Sequence, residues 1–191
     1  MVKSLIMKKL ENKVAIITGA AAGLGKAIAL LFAAEGSKVV AADINVALLK
    51  VLEEEITNTG GIVTTIVADM AKEEDIDELF NKAITSYGAV DVLVNNAGVM
   101  DEFDPVGDVD NSTWERVMSI NVTGPFKAMR KAVQLMLTAG KGAIVNIASV
   151  GGLQGARAGA AYTTSKHALI GLTKNTGYMY AKKGIRCNAV A

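Results

Sequence analysis

The protein has 191 residues, of which 51% are hydrophobic, and its formal net charge is +1. This length and apolar content suffice for one domain with a sizeable buried core. The near balance of charge excludes the strongly basic surface that binds nucleic acid or an anionic membrane.

Three further features bear on the cellular compartment. Cys187 is the only cysteine, so the chain cannot form an internal disulfide, and a reducing compartment fits. The basic segment Met1–Leu10 lacks the long apolar stretch of a signal peptide, and no apolar run is long enough to span a membrane. We therefore expect a cytoplasmic protein without a membrane or nucleic-acid partner.

Six short runs rich in β-branched residues alternate with longer helical patterns along the chain. Their nearly continuous apolar character predicts strands that are buried on both faces, as in a parallel sheet. The predicted strands are Val14–Ile17, Val39–Ala42, Ile62–Ala68, Val90–Val94, Ala143–Ile147 and Arg186–Val190. The alternation predicts an α/β fold, a doubly wound Rossmann-type sheet in three layers (α/β/α) with strand order 3-2-1-4-5-6.

Helical patterns fill the intervals between the strands. After the first strand, apolar residues recur at the spacing of one helix face, and Gly36 stands where that helix would end. The residues of this face are Leu24, Ala27, Ile28, Leu31 and Phe32. The segment Ser112–Glu115 has a capping-box pattern and predicts a helix that runs to about Thr138. A further helix is predicted from about Ala161 to Lys182.

Proline interrupts the second of these helices. Pro125 has no N–H, so the carbonyl of Asn121, four residues earlier, loses its helical partner. We expect a kink at this point, with the Asn121 oxygen free to accept a hydrogen bond from water.

A glycine-rich segment, Thr18–Gly25, connects the first strand to the first helix. Gly19 permits a sharp turn, whereas Gly23 and Gly25 let the backbone approach a ligand and let the helix meet the sheet. The helix then directs free N–H groups and the positive end of its dipole at that ligand. Alone, the segment could be an ordinary glycine-rich connection. Its position between a strand and a helix favours a dinucleotide pyrophosphate site.

Asp43 ends the second predicted strand, about twenty residues after the glycines, where a carboxylate can accept the ribose hydroxyls of the adenosine. The same charge would repel the 2′-phosphate of NADP. An isolated aspartate here could equally be a solvated turn residue, and Lys26 offers a nearby cation. Next to the glycine-rich turn, Asp43 nevertheless predicts NAD as the cofactor.

Four motifs in this order resemble the short-chain dehydrogenase/reductase (SDR) family. They are Thr18–Gly25, Asn95–Gly98 after the fourth strand, Ser149 after the fifth, and the pair Tyr162 and Lys166. The resemblance runs from about Leu10 to Ala191 and is to NAD-type members, similar to 3-oxoacyl-ACP reductase and glucose 1-dehydrogenase. It implies an oxidoreductase that moves a hydride between NAD(H) and a secondary alcohol or ketone.

The same resemblance implies the residues of the site. The catalytic residues would be Asn121, Ser149, Tyr162 and Lys166. The cofactor-binding residues would be Gly19, Gly23, Leu24, Gly25, Asp43, Ile44, Asp69, Met70, Asn95, Ala97, Gly98, Tyr162 and Lys166. No cluster of His, Cys and carboxylates has the spacing of metal ligands, so no metal is expected.

The spacing of Tyr162 and Lys166 also supports this chemistry directly. Residues four apart on a helix share one face. A free tyrosine loses its proton near pH 10, and an ammonium about 4 Å away would stabilise the phenolate by about 4 kcal/mol. The phenol could then act as a general base or acid, with Ser149 holding the substrate oxygen and Lys166 also binding the nicotinamide ribose. An isolated Tyr–Lys pair is more often a surface feature, but here it follows a dinucleotide motif.

Members of the family continue past the sixth strand with a substrate-binding segment and a seventh strand, which this chain lacks. We expect residues 1–191 to form one dinucleotide-binding and catalytic domain, and the protein to continue beyond Ala191. The substrate stays open among 3-oxoacyl thioesters, sugars, and diols or sterols. The resemblance implies a homodimer or homotetramer that packs through the helices of Asn121 and Tyr162. The rival interpretation is a dinucleotide-binding sensor or scaffold without turnover.

Overall fold

The structure, a computed structural model, describes residues 8–191, so most of the segment Met1–Leu10 lies outside the described residues. The strands are β1 (Val14–Thr18), β2 (Lys38–Asp43), β3 (Ile62–Val67), β4 (Val92–Asn95), β5 (Gly142–Ile147) and β6 (Ile185–Val190). The helices are α1 (Gly23–Ala34), α2 (Val46–Asn58), α3 (Glu73–Tyr87), α4 (Asn111–Met118), α5 (Gly124–Ala139) and α6 (Ala160–Tyr180). No helix within residues 8–191 is both long and apolar enough to cross a lipid bilayer.

The six strands form one parallel sheet in the order β3-β2-β1-β4-β5-β6, which confirms the predicted Rossmann-type fold. Alternate residues of the central strands point to opposite faces of this sheet and enter two separate apolar cores. One core contains Ile16, Leu93 and residues of α3 and α5, while the other contains Ile17, Val94 and residues of α1 and α2. Helices therefore cover both faces, as in a three-layer α/β/α arrangement.

The prediction of strands buried on both faces holds only at the centre of the sheet. All residues of β1 and β4 are buried, but every residue of β3 is partly or fully exposed, and β6 is buried only at Ile185 and Cys187. Both strands lie at an edge of the sheet, where fewer neighbours cover them. The fourth strand also begins at Val92 rather than at Val90.

The core-facing side of α1 was predicted wrongly. Leu24 is 53% exposed and Leu31 is 60% exposed, although Ile28 and Phe32 do pack against the core. The face toward the sheet consists of small residues at four-residue spacing, namely Gly25, Ala29 and Ala33. Small side chains allow the helix axis to approach the sheet closely, and that close approach brings the start of α1 next to the end of β1. The helix ends at Ala34, and Gly36 follows with φ of +88°, the left-handed conformation expected after a helix.

The single helix predicted from Ser112 to about Thr138 is wrong in two respects. Asp110, not Ser112, caps α4, and its carboxylate accepts hydrogen bonds from the Thr113 N–H (2.7 Å) and the Ser112 hydroxyl (2.7 Å). A π-helical turn over Ser119–Thr123 then separates α4 from α5.

A π-helical turn directly precedes Pro125, where a kink was predicted. The Gly124 N–H donates to the carbonyl of Ser119, five residues back, and Pro125 stands in the first turn of α5, where its missing N–H is tolerated. The turn contains Asn121, so the irregular backbone lies at a predicted site residue.

Candidate active site and cofactor cavity

A cavity of about 380 Å³ opens at the carboxyl ends of the central strands. Parallel sheets bind ligands at this edge, beside the point where the strand order reverses. Its walls come from the segments that follow β1, β2, β3 and β4. The lining residues are Gly19, Ala22, Gly23, Asp43, Ile44, Ala68, Asp69, Met70, Asn96, Ala97, Gly98, Val99 and Ile120.

The turn between β1 and α1 needs its glycines for two different reasons. Gly19 and Gly23 have φ values of +63° and +52°, which disfavour any side chain. Gly25 has no such constraint, but a methyl group there would collide with the carbonyl oxygen of Gly19. The first turn of α1 therefore lies directly against this loop.

Asn96 holds this turn from the neighbouring strand. Its side-chain amide donates to the carbonyls of Thr18 (2.9 Å) and Gly19 (2.9 Å). The Thr18 hydroxyl in turn accepts the N–H groups of Asn96 and Ala97, both at 3.1 Å. These bonds cross from β1 to β4, so the two walls of the cavity are fixed relative to each other.

Asp43 reaches the cavity with a fixed orientation. Its two carboxylate oxygens accept hydrogen bonds from the backbone N–H groups of Ala21 (2.9 Å) and Asn45 (3.0 Å). Lys26, the nearby cation, forms an ion pair with Glu55 on α2 at 2.7 Å. The charge next to the cavity at this end is therefore that of Asp43.

Asn95 was predicted as a cofactor contact, but its side chain points into the sheet. It is 2% exposed, and its amide nitrogen donates to Asn146 on β5 (2.8 Å). Asn146 donates in turn to the hydroxyl of Thr173 on α6 (2.8 Å). This buried polar chain ties β4, β5 and α6 together and so positions α6 against the sheet.

Tyr162 and Lys166 lie one turn apart near the start of α6. The Lys166 Nζ atom is 5.4 Å from the centre of the Tyr162 ring and donates to the carbonyl of Ile147 at the end of β5 (2.8 Å). A methyl group on Gly98, which lines the cavity, would lie 3.5 Å from the same Nζ atom. The ammonium therefore lies near both the phenol ring and the wall of the cavity.

Ser149 approaches the same place from β5. Its Oγ atom accepts the N–H of Gly151 (3.0 Å). A methyl group on Gly151 would lie 3.4 Å from Ser149 Oγ and 3.5 Å from a ring carbon of Tyr162. The hydroxyl and the phenol ring thus flank one small space, which a methyl group at residue 151 would fill at ordinary contact distances.

Asn121 is fully buried and braces the site from the π-helical turn. Its side chain exchanges two hydrogen bonds with the backbone of Val99, each 2.8 Å long. Its amide nitrogen also donates to the hydroxyl of Ser165 (3.1 Å), which itself donates to the carbonyl of Tyr162 (2.7 Å). Sequence reasoning did not identify Ser165, since a serine inside a helix carries no distinctive pattern.

The predicted site residues fall into two groups by position. Eight of the predicted cofactor residues line the cavity, namely Gly19, Gly23, Asp43, Ile44, Asp69, Met70, Ala97 and Gly98. Five do not line it, namely Leu24, Gly25, Asn95, Tyr162 and Lys166. Asn96 also lines it, as expected of the Asn95–Gly98 motif, whereas Ala22, Ala68, Val99 and Ile120 line it but were not predicted. Residues that contribute mainly backbone or methyl surface to a cavity, such as Ala22 and Ala68, have no distinctive pattern in a sequence.

His167 and Cys187 do not belong to the candidate site. His167 is exposed and its ring nitrogen pairs with the carbonyl of Thr163 (2.9 Å). Burial raises the pKa of the Cys187 thiol to about 11, so the sulfur stays protonated and unreactive at neutral pH. Within residues 8–191, no group of three or more His, Cys, Asp and Glu side chains could hold a metal ion.

Burial also lowers the pKa of Lys166, from its ordinary value of 10.5 to about 8. The side chain is 4% exposed, and desolvation disfavours its charged form. At pH 7 the ammonium is present, but the folded protein holds it at a cost in stability.

We predict that Lys166→Met stabilises the fold. One unit of pKa corresponds to about 1.4 kcal/mol, so the drop from 10.5 to about 8 corresponds to about 3 kcal/mol at neutral pH. The cost is fully present below pH 8 and disappears between pH 8 and 10.5, as the folded protein loses the proton first. Urea unfolding should therefore show the wild type gaining stability over this range and Lys166→Met gaining none. Lys174→Met, at an exposed position of α6, is the control; a Lys166→Met variant less stable than wild type at pH 7 would contradict the argument.

Comparison with known proteins gives relatives over nearly the whole chain. The family described as short chain dehydrogenase matches residues 13–191. The chain is 40% identical over 182 residues to 3beta-hydroxysteroid dehydrogenase 2 of Eggerthella lenta, covering 95% of this chain and 70% of that protein. It is 39% identical over 188 residues to cyclohexanol dehydrogenase of an Acinetobacter species, covering 98% and 75% of the two chains.

A solved structure agrees with these relatives. The crystal structure of NAD⁺-bound xylitol dehydrogenase superimposes with a TM-score of 0.92 at 36% identity, covering 96% of this chain and 71% of that chain. Sequence family, relatives and three-dimensional fold all lead to one assignment. The chain belongs to the short-chain dehydrogenase/reductase family and is an oxidoreductase of the alcohol-to-ketone type.

Proposed function

We propose that the protein is an NAD-dependent dehydrogenase for secondary alcohols and the corresponding ketones, with Ser149, Tyr162, Lys166 and Asn121 as its catalytic residues. One observation carries the proposal. The Ser149 hydroxyl and the Tyr162 ring flank a single space beside Gly151, and the Lys166 ammonium lies beside Gly98 at the wall of the cavity.

Each of these residues has a distinct task in the proposed reaction. Tyr162 takes the proton of the alcohol during oxidation and returns it during reduction. Lys166 stabilises the phenolate by its charge, and Ser149 donates a hydrogen bond to the substrate oxygen as negative charge develops there. Asn121 supports the base indirectly, through Ser165 and the carbonyl of Tyr162.

The cavity suits a nicotinamide dinucleotide. The side-chain-free surface at Gly19 and Gly23 lies at the N-terminus of α1, where N–H groups favour a pyrophosphate. Asp43 is oriented toward the cavity to accept two ribose hydroxyls, and Asp69 and Met70 would border the adenine. The bound cofactor would supply the hydride chemistry.

Asp43 and Lys26 together favour NAD over NADP. A fixed carboxylate repels a 2′-phosphate, and Lys26 is paired with Glu55 instead. We propose NAD as the cofactor on this ground, and xylitol dehydrogenase, one relative of known structure, has NAD⁺ bound.

Among substrates, we propose an alicyclic secondary alcohol or ketone. Large apolar side chains are exposed in the loops after β4 and β5. They are Met100, Phe103, Val150 and Leu153. Apolar walls suit a ring substrate better than a sugar, and the named relatives include dehydrogenases of a hydroxysteroid and of cyclohexanol. Arg157 is exposed and bonded to Gln154 (3.2 Å), which gives no support for an anionic substrate.

The rival function is a dinucleotide sensor or scaffold without turnover. A protein that only binds a dinucleotide does not require Ser149, Tyr162 and Lys166 to lie close together. We further propose that residues 8–191 act as one dinucleotide-binding and catalytic unit, and that the protein works in the cytoplasm.

A substrate panel tests the proposed function. The protein is mixed with NAD⁺ and, in turn, cyclohexanol, a 3β-hydroxysteroid, xylitol and glucose, and NADH formation is followed by absorbance. We expect the alicyclic alcohols to react with the highest kcat/KM. NADH binding without turnover on any alcohol or ketone would favour the sensor or scaffold instead.

We also propose a homodimer or homotetramer that forms through α5 and α6. Among the apolar residues of these two helices, Met129, Val133 and Leu169 are buried within the chain, Leu172 is half-buried, and Leu137 and Met179 are exposed. Phe126 and Leu137 lie in an open groove between the two helices. Light scattering at micromolar concentration should report a dimer or tetramer, and Phe126→Asp should shift the species toward monomer. A wild-type monomer would refute this assembly.

A further inference from the structure

Asp101 is a buried carboxylate in the loop that follows β4. It is 5% exposed, and three backbone N–H groups donate to it. Gly159 (3.0 Å) and Phe103 (3.3 Å) donate to its Oδ1 atom, and Tyr162 (2.8 Å) donates to its Oδ2 atom. One side chain therefore joins its own loop to the beginning of the helix that carries the proposed base.

The bond to Tyr162 replaces a missing helix cap. A helix usually begins with a residue whose side chain accepts the N–H of the third helical residue. In α6 the capping position is Gly159, which has no side chain, and the third residue is Tyr162. Asp101 performs this task although it lies 58 residues before Gly159 in the sequence.

The capping position of α6 is a glycine because a side chain there would collide with the loop, and not because of its backbone conformation. Gly159 has a φ of −74°, which any residue can adopt. A methyl group there would lie 2.6 Å from Oδ2 of Asp101 and 2.7 Å from the backbone nitrogen of Asp104. The loop occupies the place where a local capping side chain would stand.

Within its own loop, the Asp101 carboxylate contacts Phe103. Its φ is +66°, a left-handed conformation that is unusual for an aromatic residue, and its side chain is 64% exposed. The Asp101 carboxylate accepts the Phe103 N–H, and the Ala160 N–H donates to the carbonyl of Asp104 (2.8 Å). Strained backbone that is held by its surroundings is a common feature of functional loops.

We infer that Asp101 is a positioning residue for the reaction, which sets the placement of Tyr162 on one side and presents Phe103 to the substrate on the other. The inference rests on the proposed function. A carboxylate suits the task because both of its oxygens accept, whereas an asparagine has only one accepting oxygen. Without the second accepting oxygen, either the hydrogen bond to the Tyr162 N–H or the hydrogen bonds to the Phe103 and Gly159 N–H groups are lost.

Asp101→Asn is the central variant, with Asp110→Asn as its matched control. Asp110 also caps a helix with an aspartate carboxylate, but that helix is α4, and its hydrogen bonds come from Ser112 and Thr113. We expect both variants to lower Tm by a few degrees. Only Asp101→Asn should lower kcat, by about tenfold or more when rates are normalised to NADH-binding sites, because small misplacements of a reacting group are costly. Its Kd for NADH should stay within about twofold of the wild-type value.

Phe103→Gly tests the other end of the contact without disturbing the carboxylate. Glycine accepts the left-handed conformation, so Tm should not fall. KM for an alicyclic substrate should rise several-fold through the loss of the aromatic side chain, while the Kd for NADH is retained.

Each outcome has one meaning. A kcat per NADH-binding site that Asp101→Asn shares with Asp110→Asn would reduce Asp101 to a structural cap and overturn the inference. An unchanged KM in Phe103→Gly would overturn its substrate side. A wild-type protein that binds NADH but turns over no alcohol or ketone would refute the proposed function itself, and the inference with it.

Discussion

Tyr162→Phe is expected to reduce turnover by about 10²- to 10⁴-fold, the usual contribution of a general acid–base group. The variant removes one oxygen atom and leaves the ring beside Ser149 and Lys166 in place, so Tm should change little. The Kd for NADH should also stay near the wild-type value, since Tyr162 does not line the cavity. Steady-state kinetics with the best alcohol of the panel, together with NADH fluorescence titration, measures both effects.

Tyr178→Phe is the matched control for this variant. Tyr178 lies on the same helix and is 86% exposed, so loss of its hydroxyl should change neither turnover nor cofactor binding. If Tyr162→Phe kept more than about a tenth of wild-type turnover, a general base other than Tyr162 would be required.

Cofactor choice is the second large effect, and we expect NADH to bind about 100-fold more tightly than NADPH. Asp43 is held by the N–H groups of Ala21 and Asn45, so its charge cannot turn away from an added phosphate. Repulsion between this carboxylate and a phosphate a few ångströms away is about 3 kcal/mol at intermediate dielectric, and that energy corresponds to about 100-fold in Kd. Fluorescence titration with each reduced cofactor measures the ratio.

The double variant Asp43→Ala with Ile44→Arg should reverse this preference. Ile44 lines the cavity and is 69% exposed, so an arginine there could reach a 2′-phosphate. Asp69→Asn serves as the control, because a carboxylate at the proposed adenine site should affect the two cofactors equally. Equal affinities of the wild-type protein for NADH and NADPH would remove Asp43 from the proposed role.

The sequence predicted the sheet well because the central strands are buried by helices on both faces. Runs such as Ala15–Ile17 and Val92–Val94 are apolar at every position for that reason, and the strand order follows from the alternation with helices. The prediction failed where neighbours decide burial. Leu31 has the spacing of a buried helix face, but the small residues of α1 face the sheet instead. Strand β3 has the apolar pattern of a buried strand, but it lies at the edge of the sheet and is partly exposed.

Motif spacing predicted Gly19, Gly23 and Asp43 at the cavity, and the family resemblance added Ile44, Asp69, Met70, Ala97 and Gly98. Contacts between distant segments were invisible to the same reasoning. Asp101 and Ser165 support Tyr162 through hydrogen bonds, but a loop aspartate and a helical serine look ordinary in a sequence. The π-helical turn at Asn121 was also missed, because the nearby proline indicates a break without indicating its form.

The position of the cavity has a consequence for how the protein folds. Its walls come from both halves of the sheet, β1–β3 and β4–β6, and within the sheet the two halves are joined by the pairing of β1 with β4. That pairing joins Ala15 to Val92, residues far apart in the sequence, and contacts of long sequence separation form slowly. A chain with only one half folded has only half of the cavity. Acquisition of NADH affinity during refolding should therefore mark the docking of the two halves, and bound cofactor should oppose their separation by mass action.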